Sequence, residues 1–151
     1  MSSIGRSLRR STAARPTLDV EITMIADKPI EKITQEDLLR LVNNGVSESR
    51  TLEYKQELPS AVDEDKREFL ADVSAFANAI GGDLVFGAEE KRDEAGRPTG
   101  TLEQLVGLEI DNIEIVVQRL ENILRDGVAP RIAAIQFKIV PGFARGPILI
   151  V

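Results

Sequence analysis

A pair of glycines between a helix and a strand constrains this chain more than any other feature. Residues 63 to 80 place Phe69, Leu70, Val73, Phe76, Ala77 and Ile80 at helical spacing, with Lys66, Arg67, Glu68 and Asp72 on the opposite face. Gly81-Gly82 follows at once and supplies the left-handed turn that ends a helix. Leu84 to Ala88 then reads as a short apolar strand. Upstream, Thr51 to Leu58 alternates: Leu52 and Tyr54 face one way, Glu53, Lys55 and Glu57 the other, and Pro59 stops the run. Strand, helix, glycine stop and strand make a packed two-layer unit. Acidic residues stand at the start of one strand and at the end of the other, an arrangement that can gather carboxylates from distant sequence positions into one pocket.

The flanking segments extend the pattern. Leu18 to Ala26 alternates like a short strand. Thr34-Gln-Glu-Asp37 opens a helix with a capping box, Leu38, Leu39, Leu41 and Val42 give its apolar face, and Asn43-Asn44-Gly45 ends it. Glu89 to Gly100 reads as a charged loop at a hairpin tip, with a returning strand near Leu102 to Leu108. Asp111 to Glu114 repeats the capping logic before a second long helix, striped by Ile113, Val116, Val117, Leu120, Ile123 and Leu124 and ended by Asp126-Gly127. Ile132 to Val140 alternates, Pro141 to Pro147 is a turn, and Ile148 to Val151 reads as a final strand. A chain that stops in mid-strand is expected to be truncated at its C-terminus.

Composition removes whole classes of chemistry. The 151 residues include no Cys and no His, so disulfides, thiolate nucleophiles, Ser-His-Asp triads and imidazole metal ligands are excluded. Acid–base work falls to carboxylates, Lys55 or a metal-bound water, and any metal would sit among oxygen ligands, which suits Mg²⁺ or Mn²⁺. No apolar run approaches the roughly 18 residues of a membrane span, so no membrane partner is expected. The net charge of −6 is uneven. Arg6, Arg9, Arg10 and Arg15 stand in residues 1–16 without an acid, which leaves 15 basic against 25 acidic side chains in the rest, a balance of −10. The Arg- and Ser-rich start has the composition of a transit peptide, of a plain tail or of a basic arm for nucleic acid. The acidic body opposes non-specific coating of phosphate backbones, although a local basic groove is compatible with it.

In order, Glu48-Ser49, Leu52-Glu53-Tyr54-Lys55, Ala75-Phe76-Ala77-Asn78, Gly81-Gly82 and Leu84-Val85-Phe86-Gly87-Ala88-Glu89 resemble the Schlafen AlbA-type domain, also described as a DNA-binding or divergent AAA-type domain of bacterial regulators. The resemblance covers residues 34–151, with residues 1–33 a basic N-terminal tail and linker. It implies an α/β (α+β) fold: a central mixed β-sheet flanked by two long helices, the AlbA-like Schlafen core. It also implies work on DNA or RNA in a cytoplasmic regulatory or defence protein. Some Schlafen members cut structured RNA with three carboxylates. Carried over by position, these are Glu48, Glu53 and Glu89, the candidate catalytic and metal-holding residues, with Lys55 as electrostatic helper. The third is usually Asp in the nuclease members, and the longer Glu89 moves its oxygens by about one C–C bond. Bacterial relatives often continue into a winged-helix region that this chain lacks.

The residues themselves leave alternatives open. Glu53 and Lys55, two apart on one strand, share a face and make either a site or an ordinary surface ion pair. Glu89 and Glu90 make either a ligand or a solvated hairpin rim. ATP has no support, since no Gly-x-x-x-x-Gly-Lys-Ser/Thr loop is present. Base stacking is thinly supplied, with Phe143 and Tyr54 the exposed candidates. Lys55, Arg67, Arg131 and Lys138 are the candidate phosphate contacts. Three functions follow: a nucleic-acid-binding module, a metal-dependent endoribonuclease, and a protein-interaction module forming a homodimer through an open strand at 148–151.

Overall fold

The computed structural model describes residues 28–79, 81–127 and 135–151. The strand expected at 18–26, the Arg-rich tail and Arg131 lie outside them. Six strands and three helices are present among the described residues: α1 (Gln35–Asn43), β1 (Leu52–Lys55), α2 (Asp63–Ala77), β2 (Asp83–Phe86), β3 (Ala88–Arg92), β4 (Pro98–Leu105), α3 (Ile113–Gly127), β5 (Lys138–Val140) and β6 (Ile148–Ile150). The main sheet has the order β1-β2-β6-β5, and β3-β4 is a separate hairpin. β1 and β2 are parallel, with α2 as the crossover; β2–β6 and β5–β6 are antiparallel. The sheet is therefore mixed, as expected.

Local chemistry explains the element ends. Thr34 and Asp37 form the reciprocal capping box that their spacing predicts. Burial pushes the Asp37 carboxyl up, but hydrogen bonds from Lys28 and Thr34 outweigh it and hold the group below its ordinary value. At α3 the cap is Asn112 rather than Asp111: its Oδ1 accepts from the Glu114 and Ile115 N–H groups at 3.0 and 3.2 Å. Gly81, at φ +90°, carries the chain out of α2 and donates back to the Phe76 carbonyl.

Strand alternation sorts the side chains into two cores. Leu52, Tyr54, Val85, Ile148 and Ile150 pack with Leu38 and Leu41 of α1 and with Ala88, Leu102 and Leu105 of the hairpin. Leu84, Phe86 and Leu149 pack on the other face with Phe69 and Val73 of α2 and Leu120 and Leu124 of α3. Both long helices thus cover one face, and α1 and the hairpin cover the other. The flanking by long helices that the resemblance implies is confined to one side of the sheet. Nothing in a 3.6-residue stripe says which face of a sheet a helix will take.

Three further expectations change. The charged stretch after Ala88 is strand up to Arg92, not loop, and the apolar run breaks at Gly87, where φ is +99°. Ile135 to Phe137 are not strand. Ile148 to Ile150 is an interior strand, paired to β2 on one side and β5 on the other, so it offers no open edge for a homodimer.

Gly87, Gly107 and Gly146 mark a crossing of loops over the end of β2. The Gly87 carbonyl accepts from the Val106 and Gly107 N–H groups at 3.0 and 3.1 Å, and Arg145 N–H donates to the Val106 carbonyl at 2.8 Å. A Cβ on Gly107 would fall on the Gly146 backbone carbonyl, and its φ of +86° disfavours any L side chain. Gly107→Ala is therefore expected to lower stability by about 3 kcal/mol or more, measured by urea unfolding. A loss below ~0.5 kcal/mol would show that the crossing relaxes freely.

Candidate functional site

The candidate site is built on β1. Pleating sends Leu52 and Tyr54 into the core, at 4% and 2% exposure, and turns Glu53 and Lys55 to the face that carries α2. Tyr54 is thus a core residue, its hydroxyl donating to the Val46 carbonyl at 2.9 Å, and is unavailable for stacking on a base. Phe143 packs half-buried against the same core.

Lys55 Nζ lies 3.3 Å from Glu53, 3.3 Å from Glu68 and 3.1 Å from Asp72. The last two carboxylates come from α2, four residues apart and so on one helical face. Burial pushes the ammonium down, but the Asp72 hydrogen bond and the three acidic charges outweigh it and hold Lys55 above its ordinary range. Burial raises the Glu53 carboxyl, the Asp72 charge adds to this and Lys55 opposes it. Beyond the ammonium opens a cleft of about 190 Å³, lined by Lys55, Leu58, Pro59, Phe69, Asp72 and Phe86, among others.

Glu48 sits on the outer edge of β1. Its Oε1 accepts from the Tyr54 N–H at 3.0 Å, while its own N–H donates to Gly100 of β4 at 2.7 Å. Tyr54 N–H points away from β2, so the carboxylate satisfies a donor that the sheet leaves open. Burial raises the Glu48 carboxyl; the Tyr54 bond lowers it; the neighbouring Glu90 raises it by charge and hydrogen bonding.

Glu89 is elsewhere. Its two oxygens accept from Gln56 at 3.4 Å and Gln104 at 2.7 Å, Gln104 being its register partner on β4. Glu90, the next residue, follows a register shift in the β3–β4 pairing and is the acid that meets Glu48. The structure therefore pairs Glu48 with Glu90 and Glu53 with Lys55, and gives Glu89 amide partners. Among the described residues, no three acidic side chains are grouped to hold a metal ion. One oxygen of Glu48 is taken by a backbone N–H and Glu53 faces an ammonium, so the donor set as folded does not fit a divalent cation.

The other candidate phosphate contacts are dispersed. Arg67 is exposed on α2, without an ion pair among the described residues. Lys138 on β5 donates to the Glu31 carbonyl at 3.0 Å. Sequence reasoning missed Glu68, Asp72 and Glu90. The four-residue spacing of the first two beside a strand lysine was the available signal; the approach of Glu90 to Glu48 accompanies a register shift in the β3–β4 pairing, for which the sequence carries no local signal.

A family model described as Schlafen, AlbA_2 matches residues 48–151, from Glu48 through β6. The chain belongs to this family. Helix α1 precedes the matched region. No curated protein is matched at a significant level. Among the described residues of this Schlafen AlbA_2 protein, no helix is long and apolar enough to cross a membrane.

Two substitutions separate edge-capping from other roles of Glu48. Glu48→Ala strands the Tyr54 N–H and should cost about 1–2 kcal/mol. Glu48→Gln keeps an acceptor, removes the repulsion with Glu90, and should leave stability at pH 7 equal or higher. Equal losses in both, by chemical denaturation, would show that the carboxylate does not act as a cap.

Asp83, at the start of β2, supplies a pH signature. Burial alone pushes its carboxyl from 3.8 to about 6. The unfolded chain ionises first, so stability falls as pH rises from about 4 to about 6 and stays lower above. Asp83→Asn should therefore stabilise the protein at pH 7, by about 1–2 kcal/mol after allowing for partial solvation, and give no gain below pH 4. Thermal melts of both proteins across that range check the sign.

Proposed function

We propose that this Schlafen AlbA_2 domain is a nucleic-acid-binding module of a cytoplasmic regulatory or defence protein. One observation carries the reading: in a chain whose residues 48–151 match the family, β1 presents Lys55 beside Glu53 at the mouth of a cleft, on the sheet face that α2 shares. Backbone phosphates supply most of the affinity of such modules, and a lysine at a concave edge is a point contact for one. Arg67, exposed on the same helix, does not line the cleft and would make a separate phosphate contact. The acidic body makes the binding local and salt-sensitive rather than general. DNA and RNA are both candidate partners, and no nucleotide cofactor is required.

Fluorescence polarisation with labelled transfer RNA and duplex DNA at low salt tests this. Micromolar binding is expected for at least one of them, weakened about three- to tenfold by Lys55→Gln, with a salt slope shallower by about one. Absence of binding to both at tens of micromolar protein would refute the reading.

A metal-dependent endoribonuclease is the second reading. It draws on Glu48, Glu53 and Glu89, the positions carried over from the resemblance, of which Glu48 and Glu53 act on one another by charge. The amide partners of Glu89 and the absence of a three-acid group among the described residues weigh against it. Transfer RNA fragments that require Mn²⁺ or Mg²⁺ and vanish in Glu53→Gln would reverse the ranking.

A further inference from the structure

Lys55 is the basic side chain that lines the β1–α2 cleft among the described residues, yet its charge is already engaged. Three carboxylates stand within 3.3 Å of its Nζ, so the cluster as a whole carries −2. Asp72 and Glu53 are largely shielded, with side-chain exposures of 21% and 30%, and Lys55 itself is at 23%. Attraction between such groups is screened far less than between surface charges. Glu57 and Asp65 line the same cleft and add to the negative potential an approaching phosphate meets.

The α2 acids have different reasons to be there. Phe69 and Val73, beside them on the helix, anchor α2 in the core, so the backbone position does not depend on the ion pairs. Asp72 makes the shortest of the three contacts. Glu68, at 65% exposure, reaches Lys55 from the solvent side, across the path a phosphate would take. Both occupy the ammonium as phosphate oxygens would: anionic acceptors at ion-pair distance.

We propose that Glu68 and Asp72 form an autoinhibitory clamp on Lys55, two carboxylates that stand in for backbone phosphate and must be displaced before nucleic acid is engaged. The clamp rests on the binding function proposed above and adds its regulation. Displacement makes binding weak at rest. It also makes binding selective for polymers that present several phosphates at once, because a single phosphate cannot outcompete tethered carboxylates at high effective concentration.

The test is a charge-removal cycle on the full chain, with fluorescein-labelled transfer RNA as the probe, at about 50 mM salt. Glu68→Gln/Asp72→Asn should tighten binding about three- to tenfold. The gain should disappear when Lys55→Gln is added and persist when Lys55→Arg is added instead. The exposed pair Glu114→Gln/Glu121→Gln on α3, which removes the same net charge, should give less than a twofold change. A gain that survives Lys55→Gln, or is matched by the α3 pair, overturns the clamp in favour of a general charge effect. Unchanged affinity of the α2 double variant, with the parent protein binding, overturns the clamp and leaves the binding function standing. Failure of every variant to bind either transfer RNA or labelled duplex DNA refutes the binding function, and the clamp with it. Melting curves for each variant confirm that the comparison is between folded proteins.

Discussion

The pleat of β1 is the constraint on which everything else depends. Four residues divide the protein: Leu52 and Tyr54 go into the core shared with α1 and the hairpin, while Glu53 and Lys55 go to the face covered by α2 and α3. A slip of one residue would bury an ion pair and expose a tyrosine and a leucine, so the register is strongly specified. Parallel pairing with β2 then requires a crossover, and α2 is that crossover. The same covalent path that closes the core carries Glu68 and Asp72 over Lys55. The fold and the charge cluster are two consequences of one strand's alternation.

The outer edge of β1 meets a second constraint. An edge strand leaves backbone donors unpaired, and such edges invite pairing with other chains. Here the Glu48 carboxylate takes the Tyr54 N–H, and the hairpin packs alongside through the Glu48–Gly100 backbone bond. A carboxylate used in this way is held at the β1 edge at the cost of partial burial, which is why its proton affinity rises and why Glu90 can influence it. Glu48 therefore has a structural role in this chain that is independent of any metal.

Much of this was legible in the residues. The capping box at Thr34, the stripe of α2, the glycine stop and the facing of Glu53 with Lys55 all follow from short-range rules and are present. Three things were not. The common face of the two long helices depends on chain reversal through the β3–β4 hairpin, a long-range matter. The interior position of β6 depends on pairing with strands distant in sequence, whereas a terminal apolar run looks the same whether central or at an edge. The different partners of Glu89 and Glu90 accompany a register shift between them in the β3–β4 pairing. Each miss concerns partner choice or register, where local pattern carries no information.

The most direct test of the central claim, that the β1–α2 cleft is the contact surface, is an NMR titration of isotope-labelled protein with transfer RNA or duplex DNA. The account predicts that the largest shift changes fall on Lys55, Glu68, Asp72 and their neighbours in β1 and α2, with the Lys55 side-chain signals among those that move. Changes concentrated on α3 or on the β5 edge, with β1 and α2 silent, would contradict it.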